Sequence, residues 1–106
     1  MPPRMTIATR LVLGVLMSDL GAEWYGSQIG KVAGLPSGTV HPILARLERV
    51  GWLESSWEDI DPSQEGRPAR RYYRLTESGG RQAQQALTAA RRPQFGFAVM
   101  PEEGWS

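Results

Sequence analysis

The sequence predicts a mostly helical fold that carries one small β-hairpin, on three observations. Apolar residues at Val40, Ile43, Leu44, Leu47 and Val50 recur at the spacing of an amphipathic helix. Leu53, Ser55 and Trp57 then alternate with Glu54, Ser56 and Glu58, the period of a half-buried strand. A polar run rich in turn formers, DIDPSQEGRPA, leads to RRYYRL at Arg70–Leu75, a second strand in which Tyr73 and Leu75 are expected to face the core. Helix, strand, loop, strand, with a shorter helix and a turn before them, is the outline of a winged helix-turn-helix.

The elements follow in order. Residues 1–5 read as an untethered arm. From Thr6 to about Ser18, the residues Ile7, Ala8, Leu11, Val12, Leu13, Val15, Leu16 and Met17 leave almost no polar face, so the helix must be buried all round. A domain of 106 residues does not easily surround its own first helix, so one side is expected on the home domain and the other on a second, two-fold related subunit. The alternative is a central helix buried within one subunit.

Gly21–Trp24 reads as a turn, and Tyr25 to about Val32 as a short helix with Ile29 and Val32 inward, weakened by Gly26 and Gly30. Gly34-Leu35-Pro36 makes the turn into the second helix, where Ser37 is a natural cap. Pro42 is discordant there, because its ring forfeits a bond to the Gly38 carbonyl. Gly51 ends that helix cheaply in a left-handed cap. Thr76 caps a last helix whose narrow stripe is Ala83, Ala86, Leu87 and Ala90, and Pro93 stops it. The expected division is a winged helix-turn-helix domain at 1–92, with dimerising first and last helices, and an apolar tail at 93–106. Leu11, Leu13, Val15, Leu16, Leu87 and Ala90 are the expected dimer contacts.

Composition bounds the function. With 41% apolar and 22% charged residues the chain is an ordinary soluble globule, and with no cysteine it has neither disulfides nor thiolate metal sites, which fits a cytoplasmic setting. The apolar run Leu11–Met17 is far short of the ~20 residues that span a bilayer, so no membrane partner is expected. A net charge of +1 excludes a uniformly basic coat. The distribution is uneven: residues 48–65 hold six acids against Arg49, and residues 66–92 hold seven arginines against Glu77. This predicts a positive stripe along the second half of the hairpin.

The helix after Pro36 looks like a reading element. Its start, Ser37, Gly38 and Thr39, is slim and polar, and its outer face carries His41, Arg46 and Arg49, so it can approach a phosphate and enter a DNA groove. Beside it, Arg67, Arg70 and Arg71 become candidates for phosphate contact. Arg67, between Gly66 and Pro68, is the best minor-groove candidate, while Arg74 is expected to bridge within the hairpin. The bland reading of these arginines is pairing with Glu54, Glu58 and Asp59.

Trp24, Phe97 and Trp105 are candidates for stacking on a flat effector, whereas Trp52 and Trp57 read as packing. His41, the one histidine, has no partnered nucleophile, and DID with Glu65 lacks the ligands of a calcium loop. Neither an enzyme, a metal nor a cofactor is expected.

The linked motifs WYGSQI, LPSGTVHPILARLERVGWLES, WED and GRPARRYYRLTESG, between about Leu11 and Gly79, resemble the PadR family of bacterial transcriptional regulators. The resemblance implies a homodimeric winged-helix repressor that binds an inverted-repeat operator in double-stranded DNA and is often released by a small molecule. By position, Tyr25 would contact backbone phosphate, Ser37, Gly38, Thr39 and Pro42 would start the reading helix, and Gly66-Arg67-Pro68 would be the wing tip near the minor groove. Where the family usually has tyrosine before the proline this chain has His41, and where GRPRR or GRPRK is typical it reads GRPARR, which leaves open whether Arg70 or Arg71 faces DNA. The chain looks like the short subgroup, whose dimer forms through the first and last helices. The rival reading is a winged helix that grips an acidic protein partner and has no preferred DNA site.

Overall fold

A computed structural model describes residues 4–91, in the order α1 (Ile7–Ser18), β1 (Trp24–Tyr25), α2 (Gly26–Ala33), α3 (Ser37–Arg49), β2 (Leu53–Trp57), α4 (Pro62–Glu65), β3 (Arg71–Leu75) and α5 (Glu77–Arg91). The three strands form one antiparallel sheet in the order β1-β3-β2. The expected tail at 93–106 lies outside the described residues, as does the side chain of Ala90.

The core is built around α1. Thr6 caps it, its hydroxyl accepting from the Thr9 amide at 3.1 Å. Val12, Leu13, Val15 and Leu16 are then buried with Ile29 of α2, Val40, Ile43, Leu44 and Leu47 of α3, Leu53 and Leu75 of the sheet, and Ala83 and Leu87 of α5. This corrects the expected dimer surface. Leu13, Val15, Leu16 and Leu87 face the interior of their own subunit, because α2, α3, α5 and β3 all pack on α1. Of the apolar residues on α1, Ile7 (69% exposed) and Leu11 (43%) remain outside.

Val32 is also exposed rather than inward. In a helix of eight residues the inward positions are Gly26, Ile29, Gly30 and Ala33, and Val32 lies more than a quarter-turn from their centre. The turn that follows depends on glycine twice. Gly34 takes φ 72°, and the Leu35 carbonyl would stand 2.8 Å from a Cβ on Gly30.

Helix α3 begins one residue earlier than its hydroxyls suggest. Pro36 is the cap, its carbonyl accepting from Thr39 and Val40, so Ser37 is already the first helical residue and Pro42 the sixth. The helix runs unbroken past Pro42, and the lost bond falls on exposed Gly38. At the far end Gly51 (φ 83°) donates to the Glu48 carbonyl and Trp52 to the Leu47 carbonyl at 2.9 Å, the paired bonds of a Schellman cap.

Strand β2 leaves directly from that cap. Leu53 pairs with Leu75, Ser55 with Tyr73 and Trp57 with Arg71. The register carries Trp57 past the edge of the core, so it is 64% exposed instead of packed, with the Arg71 guanidinium 5.4 Å from its ring centroid. Trp52 is buried as expected and donates through Nε1 to Gln82 at 2.9 Å. Two elements were not expected. Trp24 and Tyr25, read as turn and helix start, pair with Tyr73 and Tyr72, and the loop after β2 contains α4, capped by the Asp61 carboxylate on the Ser63 amide.

Thr76 caps α5 through the Gly79 amide and donates to the Gly51 carbonyl, tying the start of α5 to the end of α3. Gly79 lies so close to this joint that a Cβ there would overlap the Trp52 carbonyl.

Candidate nucleic-acid interface

At the start of α3, Ser37, Gly38, His41 and Pro42 are exposed and Thr39 is half-buried. Arg46 and Arg49 continue this outer face, because the inward stripe Val40, Ile43, Leu44 and Leu47 takes the opposite side. His41 leans back on α2, where a Cβ on Gly26 would come 2.8 Å from its Cε1. The glycine that weakens α2 therefore also makes room for an imidazole.

Lys31 is a cation that the motifs did not single out. It shares an open hollow of about 320 Å³ with Gly26, Ser27, Gly30, Gly34, Leu35 and Ser37, at the elbow between α2 and α3. Small residues there leave backbone and hydroxyl groups open to an approaching oxygen, with an ammonium at the rim. The signal for it was the glycine spacing at 26, 30 and 34, which reads as helix weakness until the elbow is seen.

The sheet brings Tyr25, Arg70 and Tyr72 together. The two tyrosine rings meet edge to face at 5.8 Å, and the Arg70 guanidinium lies 4.5 Å from the Tyr25 ring centroid. Arg70 makes no ion pair among the described residues.

The other wing arginines are engaged. Arg67 donates through both terminal nitrogens to Glu58, at 2.7 and 2.9 Å. Arg71 reaches Ser55 at 2.9 Å and Glu48 at 3.4 Å, and Arg74 meets Glu54 at 3.0 Å, as expected of a bridging residue. Glu58 also accepts from the Arg70 amide at 3.1 Å and the Tyr72 hydroxyl at 3.4 Å. The Arg67 hydrogen bond is the main reason that its carboxyl is lowered from 4.5 to about 2, against a smaller upward push from burial.

The positive stripe expected along the hairpin is thus not a free stripe. Antiparallel pairing lays the basic strand against the acidic one, and residues 54–74 together hold five acids and four arginines.

Trp24, expected to line an effector pocket, instead pairs with Tyr73 and packs against the core, and its buried Nε1 finds no hydrogen-bond partner among the described residues. Phe97 and Trp105 lie outside the described residues. A separate hollow of about 320 Å³ between α1 and α5 is lined by Gly14, Met17, Ser18, Gln84, Leu87 and Thr88. Among the described residues no cluster of His, Asp and Glu could hold a metal ion, and no helix is long and apolar enough to cross a membrane.

Residues 23–85, from the strand before α2 to the middle of α5, match the model of the transcriptional regulator PadR-like family. The chain belongs to that family. The match covers the helix-turn-helix, the wing and the first half of α5.

Solved structures agree with this fold. MepR, a transcription regulator of the Staphylococcus aureus multidrug efflux pump MepA, shares it at a TM-score of 0.60 and 23% identity, over 81% of this chain and 57% of MepR. Overoxidized AbfR bound to DNA is 29% identical at a TM-score of 0.61, over 81% of this chain and 57% of AbfR. A candidate DNA-binding protein of Ralstonia eutropha JMP134 is 26% identical at a TM-score of 0.59, over 78% of this chain and 98% of that one. The PadR-like chain therefore spans little more than half of MepR and AbfR, but nearly all of the Ralstonia protein. No curated protein matches it in sequence.

Proposed function

We propose that this PadR-like protein is a sequence-specific DNA-binding regulator, a homodimer that represses at an inverted-repeat operator. The observation that supports it most is the polar start of α3, with Ser37, Gly38 and His41 exposed and Thr39 half-buried, alongside exposed Arg46 and Arg49 on the same helix and Lys31 at the elbow with α2. In this reading α3 enters the major groove, Thr39 and His41 read base edges, and Lys31, Arg46, Arg49 and Arg70 hold phosphates, with Tyr25 beside Arg70. Two copies related by a two-fold axis present their α3 helices one helical turn apart. The dimer forms through α1 and α5, where Leu11 and Ile7 are large apolar side chains of α1 left exposed among the described residues.

Selection of bound duplexes from a random pool tests this directly. Recovered sites should be inverted repeats with half-sites about 10 base pairs apart. Recovery of unrelated sequences would leave only a winged helix without site preference. The rival reading, a basic wing gripping an acidic protein, has less support, because three of the four wing arginines already meet carboxylates of their own chain.

A further inference from the structure

Of the three wing ion pairs, one differs in kind. Arg71–Glu48 (3.4 Å) and Arg74–Glu54 (3.0 Å) each use a single nitrogen, Arg71 being held also by Ser55, and the Arg74–Glu54 pair is about half exposed, so such contacts are weakly held. Arg67–Glu58 is a two-pronged contact at 2.7 and 2.9 Å, and the Glu58 side chain is only 15% exposed. A guanidinium grips a carboxylate and a phosphate through the same planar fork. Glu58 thus occupies on Arg67 the place that a DNA phosphate would take. Two further donors, the Arg70 amide and the Tyr72 hydroxyl, keep the carboxylate there.

We propose that Glu58 is an electrostatic decoy in the wing: its carboxylate withholds Arg67 from the phosphate backbone and so sets how strongly the protein holds DNA of arbitrary sequence. This rests on the DNA-binding reading above. Binding to arbitrary DNA is carried almost wholly by phosphate contacts, so one withheld guanidinium per subunit removes a whole unit of that attraction. A phosphate that displaced Glu58 would leave that carboxylate without the Arg67 hydrogen bond that chiefly holds it ionised, beside the incoming negative charge. Arg70, stacked on Tyr25, is a wing cation with no carboxylate to shed among the described residues.

The test is the salt dependence of affinity for a duplex of random sequence, between 50 and 200 mM salt, for the full chain. For each Arg67 released, Glu58→Gln should steepen the slope of log affinity against log salt by about 0.9 and raise affinity at 0.1 M by about five- to tenfold. Arg67→Ala alone should leave the slope as in wild type, and the double variant Glu58→Gln/Arg67→Ala should return to it. An unchanged or shallower slope in Glu58→Gln overturns the proposal. So does a shallower slope in Arg67→Ala, which would mean that Arg67 already reaches DNA, and this second variant decides the matter even if Glu58→Gln fails to fold. Wild type that binds no duplex at 50 mM salt overturns the DNA-binding reading and the decoy together, whereas wild type that binds beside an inert Glu58→Gln overturns the decoy alone.

Discussion

In the proposed DNA-bound form, Thr39 and His41 are the side chains expected to distinguish bases, since both sit at the start of α3 outside the buried stripe Val40, Ile43, Leu44 and Leu47. Replacing either with alanine should cost about 1–3 kcal/mol on the preferred site and less on unrelated DNA, as read by competition binding with mutated half-sites. Equal losses on every duplex would make them phosphate ligands. Glu58 carries a different signature. Its carboxyl is lowered by the Arg67 hydrogen bond from 4.5 to about 2, so its contribution to stability is complete above about pH 4.5 and is lost as pH falls toward 2. Denaturant unfolding of wild type and Glu58→Gln should therefore give stability curves that converge over that interval, and curves that stay parallel would show that the pair does not stabilise the fold. At this scale the residue types were legible and their partners were not. Arg67 between Gly66 and Pro68 reads as a projecting fingertip, and only the return of the chain from Glu58 to Arg70, closed by the Glu58 amide on the Arg70 carbonyl at 2.7 Å, turns it inward.

Among the elements, those with a repeating pattern could be read from the sequence. The stripe of α3, its glycine stop, the alternation of β2 and the threonine cap of α5 are local and each spans at least one turn or one pleat. Strand β1 has two residues, too few to show a period, and exists because Tyr72 and Tyr73 offer it an edge. The charge blocks misled for a related reason: segregation along the chain becomes intermixing across an antiparallel ladder, as in the pair Glu54–Arg74 and the Arg67–Glu58 contact. The joint between α3, β2 and α5 yields a sharp expectation. Gly79→Ala places a methyl against the Trp52 carbonyl, and backbone cannot rotate away as a side chain can, so the loss should be about 1–3 kcal/mol or more in chemical denaturation. An alanine variant as stable as wild type would mean that α5 shifts freely on the sheet.

For the whole molecule, the burial of α1 was anticipated but not its agent. An all-apolar helix demands cover, yet the pattern cannot say whether the cover comes from the same chain; here α2, α3, α5 and β3 supply it for all but Ile7 and Leu11. That remainder is what a two-fold partner would need to hide. Leu11→Glu should therefore yield a folded monomer in sedimentation velocity, with DNA affinity falling at least tenfold because half the contacts are lost. A Leu11→Glu protein that sediments as wild type would move the subunit contact elsewhere. The paired amides at Gly51 and Trp52 have a last consequence. They weld the probe helix to the first strand of the wing, and the Thr76 hydroxyl adds a rivet to α5. Helix and wing are joined by these bonds, so in the proposed operator complex a change that loosened the grip would be expected to tilt α3 and its wing together.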